Sequence, residues 1–201
     1  MVLLLIWLAG FLTGCASDKT ITLNYCYLNP DKNLCALGRV ALIELNNDTT
    51  YPQASSDITD ALFQAIQKRQ VFGLTAVRRN ETLYQTLQIS PNSAMTLEIL
   101  SNAQKTLDCS AILVGTVTEY QPYPNLIICL RLKIIDLRDG QLVWALEQIW
   151  DGSDKTTRAL IKEYYKSQAR INSAGLAEKL VNVSPLEFMK FVGYEVAKTL
   201  R

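Results

Sequence analysis

Ala111-Ile-Leu-Val-Gly-Thr-Val-Thr-Glu-Tyr120, a turn at Gln121-Pro-Tyr-Pro124, and then Leu126-Ile-Ile-Cys-Leu-Arg-Leu-Lys-Ile-Ile135 decide the fold of this chain. In the second run Leu126, Ile128, Leu130, Leu132 and Ile134 fall on one side of a two-residue repeat, with Arg131 and Lys133 on the other. Successive side chains of a strand point to opposite faces, so this pattern predicts a strand with one face in a core and one partly wet. Arg138-Asp-Gly140 follows, and Asp-Gly suits the positive φ of a tight hairpin turn. Gln141 to Ile149 then reads as the returning strand, with Trp144 in the core. Three strands joined by short turns make an antiparallel meander.

Working outward, Arg39 to Leu45 reads as a buried strand and Asn46 to Gln53 as a polar loop. A helix capped by Ser55 or Ser56 runs to Gln70, its buried stripe being Ile58, Ala61, Leu62, Ala65 and Ile66. Asp57 and Asp60 lie near its positive end, Lys68 and Arg69 near its negative end. Phe72–Val77 is a short strand, Ser90-Pro91-Asn92 marks a loop, and Ala94–Leu107 is a second helix. Beyond the meander, Asp154–Arg170 is helical, and Ser184-Pro185 opens a last helix with serine as cap and proline in the first turn. The order is β-α-β-α-β-β-β-α-α. The expected architecture is α/β (α+β): a mixed sheet of about five strands flanked by helices, parallel through its βαβ crossovers and antiparallel in the meander. It forms a single domain over residues 38–201.

The N-terminal end has a different character. Residues 1–17 carry no charged side chain, and Val2–Leu12 is almost continuously apolar. That length suits a signal peptide and is short of the roughly 20 residues of a membrane-spanning helix. It ends in Leu12-Thr13-Gly14-Cys15, an aliphatic residue, two small ones and a cysteine. This resembles the lipobox of bacterial lipoproteins, in which the thiol takes a thioether-linked diacylglyceryl group. Several acyl chains, at about 0.8 kcal/mol per buried methylene, anchor a protein stably. The expectation is a signal peptide over 1–14, lipidation of Cys15, and an irregular tether over 15–37. Ala16 follows the cysteine, and the sorting rule of enteric lipoproteins then implies the outer membrane, with the domain facing the periplasm.

Composition narrows the function. The net charge of +1 and the lack of long basic runs give a nucleic-acid partner no electrostatic support. Histidine is absent, which excludes Ser-His-Asp, Cys-His and His-based zinc sites within the chain. No phosphate-binding or dinucleotide-binding glycine motif is present. Neither a cofactor nor a metal is expected. The cysteines show no Cys-x-x-Cys spacing.

The segments Arg39–Leu45, Asp57–Gln70, Cys109–Tyr120 and Leu130–Ala145 together resemble the periplasmic domain of the curli-secretion lipoprotein family. The shared signal is a strand ending in Val-Gly-Thr-Val, a long strand with a terminal Asp, a Gly turn and an apolar strand centred on Trp. Lipoprotein activators of penicillin-binding proteins share the general fold. The resemblance covers roughly residues 38–150 and implies the fold more than a function. Curli-type channels insert long amphipathic hairpins into the membrane. Here the connections at Gln121–Pro124 and Arg138–Gly140 leave no spare hairpin, so the channel role is not carried over.

Cys26 and Cys35 flank a turn signal at Asn29-Pro30-Asp31 and are candidates for a disulfide in an oxidising compartment. Such a loop closure contributes about 3 kcal/mol in the chain-entropy model. Cys109 and Cys129 read as small buried hydrophobes, with Cys129 opposite Thr116 or Val117. Tyr120 and Tyr123, in the proline turn, form one candidate partner contact, and Trp150, Tyr164 and Tyr165 a second. The sequence thus points to a non-catalytic envelope lipoprotein that binds another envelope protein or its own copies. The rivals are a subunit of an oligomeric secretion channel and a carboxylate-dependent cell-wall enzyme.

Overall fold

A computed structural model of the chain describes residues 26–87, 96–168 and 184–200. The signal peptide, Cys15, the Ser90-Pro91-Asn92 loop, the start of the helix placed from Ala94 and the end of the helix placed to Arg170 lie outside these residues. The described strands are β1 (Cys26–Leu28), β2 (Arg39–Ile43), β3 (Asn46–Asn47), β4 (Gly73–Val77), β5 (Ala111–Gln121), β6 (Ile127–Asp136) and β7 (Leu142–Asp151). The helices are α1 (Ala54–Arg69), α2 (Thr82–Leu87), α3 (Leu97–Leu107), α4 (Lys155–Gln168) and α5 (Pro185–Thr199), with a 3-10 turn at Leu34–Leu37.

One sheet runs in the order β1-β7-β6-β5-β2-β4, with β3 pairing onto β5. β2 is parallel to β4 and to β5, while β5, β6, β7 and β1 are antiparallel. The expected mixed sheet is therefore present, with parallel crossovers in the first half and a meander in the second. Two strands and one helix escaped the sequence reading. β1 and β3 have three and two residues, too short for any repeat, and β3 is Asn-Asn. α2 is six residues long.

The sheet separates two apolar layers. On one face Leu42, Leu113, Leu130, Ile134, Trp144 and Trp150 meet the stripes of α1, α4 and α5. On the other, Ala41, Ile43, Ile112 and Val114 meet Leu87 of α2 and Leu100 and Ala103 of α3. The predicted alternation in β6 holds: Leu126, Ile128, Leu130, Leu132 and Ile134 all enter the first layer. Arg131 faces outward and pairs with Glu147 across the β6–β7 ladder at 2.7 Å.

Two close approaches explain glycines. A Cβ on Gly115 would lie 2.4 Å from the Arg131 carbonyl oxygen and 2.5 Å from Leu132 Cδ2. A Cβ on Gly193 would lie 2.7 Å from the Ala61 carbonyl oxygen, so α5 rests on the backbone of α1. At the last helix the expected cap is present: the Ser184 hydroxyl accepts from Glu187 N, with proline in the first turn. α1 begins at Ala54 instead of after a serine cap, and its N-cap, Gln53, makes no side-chain capping bond.

The tether boundary placed at residue 38 falls inside the folded unit. Leu34 and Leu37 are buried in the first layer, and β1 pairs with β7. Lys32 adds an ionic tie: its Nζ reaches Asp136 Oδ2 at 3.0 Å and also contacts Asp139. Asp136 is wholly buried and also accepts from Arg138 N, Nε and Nη2 at 3.0, 2.9 and 2.7 Å. Burial alone would push the Asp136 carboxyl up, but the bonds from Arg138 and Lys32 overcome it and hold the group far below the carboxylate range.

Candidate functional site

β2, β4 and β5 are parallel, so their carboxyl ends lie at one end of the sheet, together with the start of β6 and the end of β7. In open α/β sheets this is the end where ligands and partners are usually met. There β5, β6 and β7 run on past the ends of β2 and β3. β3 pairs with β5 only up to Val117, while β5 continues to Gln121 opposite Ile127.

Aromatic side chains crown this end. Tyr123, at the hairpin tip, is 82% exposed. Tyr120 is half-buried and meets Tyr51 edge to face, with ring centroids 5.2 Å apart and an interplanar angle of 89°. Burial, then the charges of Asp57 and Tyr51, pushes the Tyr120 phenol up, so it stays a neutral hydrogen-bonding group. Tyr51 is itself 41% exposed. It lies in the loop before α1, where Asn47 Nδ2 donates to its carbonyl at 2.7 Å.

Two recesses flank the crown. One, of about 280 Å³, lies under the hairpin and is lined by Pro124, Asn125, Leu126, Gly152, Ser153 and Arg158. The other, about 500 Å³ and open, lies where β2 and β4 end and is lined by Glu44, Ser56, Asp60, Arg78, Arg79 and Asn80. Its charges answer one another. Arg78 pairs with Asp60, Arg79 Nε lies 3.7 Å from Glu44 Oε1, and Arg79 Nη2 donates to the Leu45 carbonyl at 3.1 Å. No group of three or more metal-ligating side chains occurs among the described residues.

The structure divides the expected contact residues. Tyr120 and Tyr123 both lie at the sheet end, and Tyr51, which meets Tyr120, is a residue there that sequence reasoning missed. Its one signal was a lone tyrosine before Pro52 in an otherwise polar loop. Trp150, Tyr164 and Tyr165 do not form a surface patch. Trp150 is 1% exposed, and the two tyrosines are buried in the first layer, Tyr164 against Phe191 and Tyr194 and Tyr165 against Tyr164. The reason is helical spacing: Leu160, Ile161, Tyr164 and Tyr165 form one stripe of α4 facing the core. Desolvation, with Glu187 nearby, pushes the Tyr164 phenol up.

The cysteines separate as well. Cys109 and Cys129 are buried thiols, as read from the sequence. Cys129 pairs with Glu119 instead of the expected Thr116 or Val117: Val117 faces Leu130, and a bulge between Val117 and Glu119 moves the partner of Cys129 one residue further. Cys26 is exposed on β1 and Cys35 is exposed in the 3-10 turn, both as free thiols in this structure.

No protein-family model and no curated protein matches the chain. Among solved structures it is similar to the PelC dodecamer from Paraburkholderia phytofirmans, with a TM-score of 0.45 and 13% identity over 67% of this chain and 86% of that one. It is similar to lipoprotein GNA1162 from Neisseria meningitidis, with a TM-score of 0.44 and 13% identity over 67% and 98% of the two chains. The LpoB C-terminal domain from Salmonella enterica gives 0.41 and 18% identity over 56% and 82%. Likeness at this level assigns no activity and no partner.

Proposed function

We propose that this chain is a non-catalytic lipoprotein of the bacterial cell envelope that contacts another envelope protein, or further copies of itself, through the aromatic sheet end. Cys15 carries the acyl anchor in the outer membrane, the signal peptide over 1–14 is removed, and the domain from Cys26 onward faces the periplasm. The chain belongs, on this reading, with the curli-secretion and penicillin-binding-protein-activator lipoproteins. Cys26 and Cys35 are joined after export.

The observation that carries the contact reading is Tyr123. A large aromatic, 82% exposed in the turn of the β5–β6 hairpin that also carries Tyr120, does little for folding and fits the role of an interface anchor. The state of the buried carboxylates supports the non-catalytic reading. The buried ones, Asp136 and Glu195, are tied to Lys32 and Arg138 and to Lys198. A channel is disfavoured because β5, β6 and β7 bury their apolar face against helices. Turning it to lipid forfeits about 25 cal/mol for each Å² now kept from water.

The test is affinity capture of the lipidated protein from its own membranes, wild type against Tyr123→Ala. A specific envelope protein, or the chain itself, should be captured by the wild type and weakly by the variant. Equal capture by both removes the aromatic end as the contact. Purified protein added to dye-loaded vesicles should bind without leakage, and size-selective leakage would restore the channel.

A further inference from the structure

The sheet ends on one side in β1 and on the other in β4, which pairs with β2 alone among the described residues. An edge strand offers a row of unpaired N–H and C=O groups, and proteins blunt it with charged side chains, proline, bulges or extreme shortness. β1 is blunted by length, with three residues. β4 is not. Gly73-Leu-Thr-Ala-Val77 is of ordinary strand length, keeps an unbroken register with β2, and carries no charge and no proline.

The ladder with β2 fixes which groups face outward. Gly73 N donates to the Gly38 carbonyl, and the Val77 carbonyl accepts from Glu44 N. Backbone groups alternate sides along a strand, so Gly73, Thr75 and Val77 point theirs at β2, while Leu74 and Ala76 turn theirs to the free edge. This edge is complementary to itself. In an antiparallel pairing with a second copy centred on Thr75, Leu74 falls opposite Ala76 of that copy, and Ala76 opposite its Leu74. These are the residues with outward groups, so each pair exchanges two hydrogen bonds, and a large side chain stands beside a small one. Thr75 meets Thr75 of the second copy as a non-hydrogen-bonded pair, with Cα atoms about 4.5 Å apart and the hydroxyls in reach of each other. No like charges meet within the strand, and the arginines that follow it, Arg78 and Arg79, are held by Asp60 and Glu44 of their own copy.

Gly73 fits the same account. Its own chain does not require a glycine there: its φ is not positive, and an added Cβ would come no nearer than 3.4 Å to another residue, at the Gly38 carbonyl oxygen. Glycine in a strand is a mark of close approach by another backbone. In this register Gly73 faces Val77 of the second copy.

We infer that two copies of this chain join through β4, antiparallel about Thr75, into one continuous sheet across a two-fold axis. The pairing is closed: it covers both free edges at once and stops at two copies. It rests on the β4 edge alone and is independent of the contact proposed at the aromatic end.

The experiment uses the full chain in mild detergent. Thr75→Cys, at an exposed position, should give a disulfide-linked dimer on mild oxidation, since the expected pair spacing lies within the roughly 4.4–6.8 Å that a disulfide spans between Cα atoms. Digestion and mass spectrometry should show residue 75 linked to residue 75, which separates this bridge from any through Cys26 or Cys35. Lys155→Cys, at the exposed start of α4, is the comparator and should not link to itself. Without cross-linking, sedimentation equilibrium should show the wild type associating into dimers. Thr75→Lys sets two ammonium groups side by side and should raise the dimer dissociation constant about tenfold or more, with the melting temperature of the domain unchanged. Ala76→Pro removes an N–H that β2 does not use and should abolish the dimer. If Ala76→Pro melts early, Thr75→Lys decides. A wild type that stays monomeric at every concentration, association indifferent to Thr75→Lys, absence of the 75–75 link, or equal linking of Lys155→Cys would each overturn the inference.

Discussion

Replacing Gly193 by alanine sets two opposing effects against each other on α5. Alanine is the better helix former, and in an open helical site the change is worth about 1 kcal/mol in its favour. At Gly193 the added Cβ would stand 2.7 Å from the Ala61 carbonyl oxygen, 3.0 Å from its carbon and 3.3 Å from Leu62 N. All three are backbone atoms of α1, so no rotamer change relieves them and the helices must move apart. Overpacking of this kind costs about 1–3 kcal/mol, and the rigidity of the obstacle puts Gly193→Ala at the upper end. The net expectation is a loss of about 1–2 kcal/mol. For a domain of this size that lowers the melting temperature by roughly 2–8 °C. Urea unfolding followed by far-ultraviolet circular dichroism measures it, with Leu186→Ala in the exposed first turn of the same helix as the mild reference. A Gly193→Ala protein as stable as wild type, or more so, would show that the contact between α1 and α5 yields cheaply and that the argument from close approach fails.

Other outcomes follow from the same structure. Asp136→Asn removes a wholly buried carboxylate from Lys32 and Arg138 and should cost about 3 kcal/mol in urea unfolding. Because the folded pKa of Asp136 is depressed, its contribution is complete above the unfolded value of about 3.9 and is lost as pH falls below it, so the gap between wild type and Asp136→Asn should narrow in acid. Trp150→Ala should cost about 3–5 kcal/mol, as a core truncation, while Tyr123→Ala should stay within about 0.5 kcal/mol; similar losses in both would contradict their opposite burial. Intact mass spectrometry of the native protein should show a chain beginning at Cys15 with added acyl mass. Alkylation without reductant should leave Cys26 and Cys35 unlabelled in the exported protein, and ready labelling of both would refute the bridge.

What the sequence made legible was the part governed by repeat and turn chemistry. The alternation from Leu126 through Ile134 put five side chains in one layer, and Ser184-Pro185 opened α5 as written. Elements without a repeat stayed hidden. β1 and β3 owe their existence to neighbours, β7 and β5, and no property of Cys26–Leu28 or Asn46–Asn47 announces them. The candidate site was half legible. Tyr123 stands between two prolines and is exposed, whereas Tyr164 and Tyr165 suggest a contact by residue type alone, and their spacing with Leu160 and Ile161 marks a buried stripe. The close approach of α5 to α1 could not be read, because it depends on Gly193 meeting a backbone more than a hundred residues away.

The ionic tie at Lys32 has a mechanical consequence. Any tug on the chain upstream of Cys26 meets its restraints in series: first the three pairs of β1 with β7, then the bonds of Asn29 to Leu142 and Val143, then Lys32 on Asp136. Behind these stand Leu34 and Leu37, seated in the first layer ahead of β2. The load therefore reaches β2 only after four successive fasteners have given way. A domain slung from its N-terminal side can lose β1 under strain and still keep its sheet.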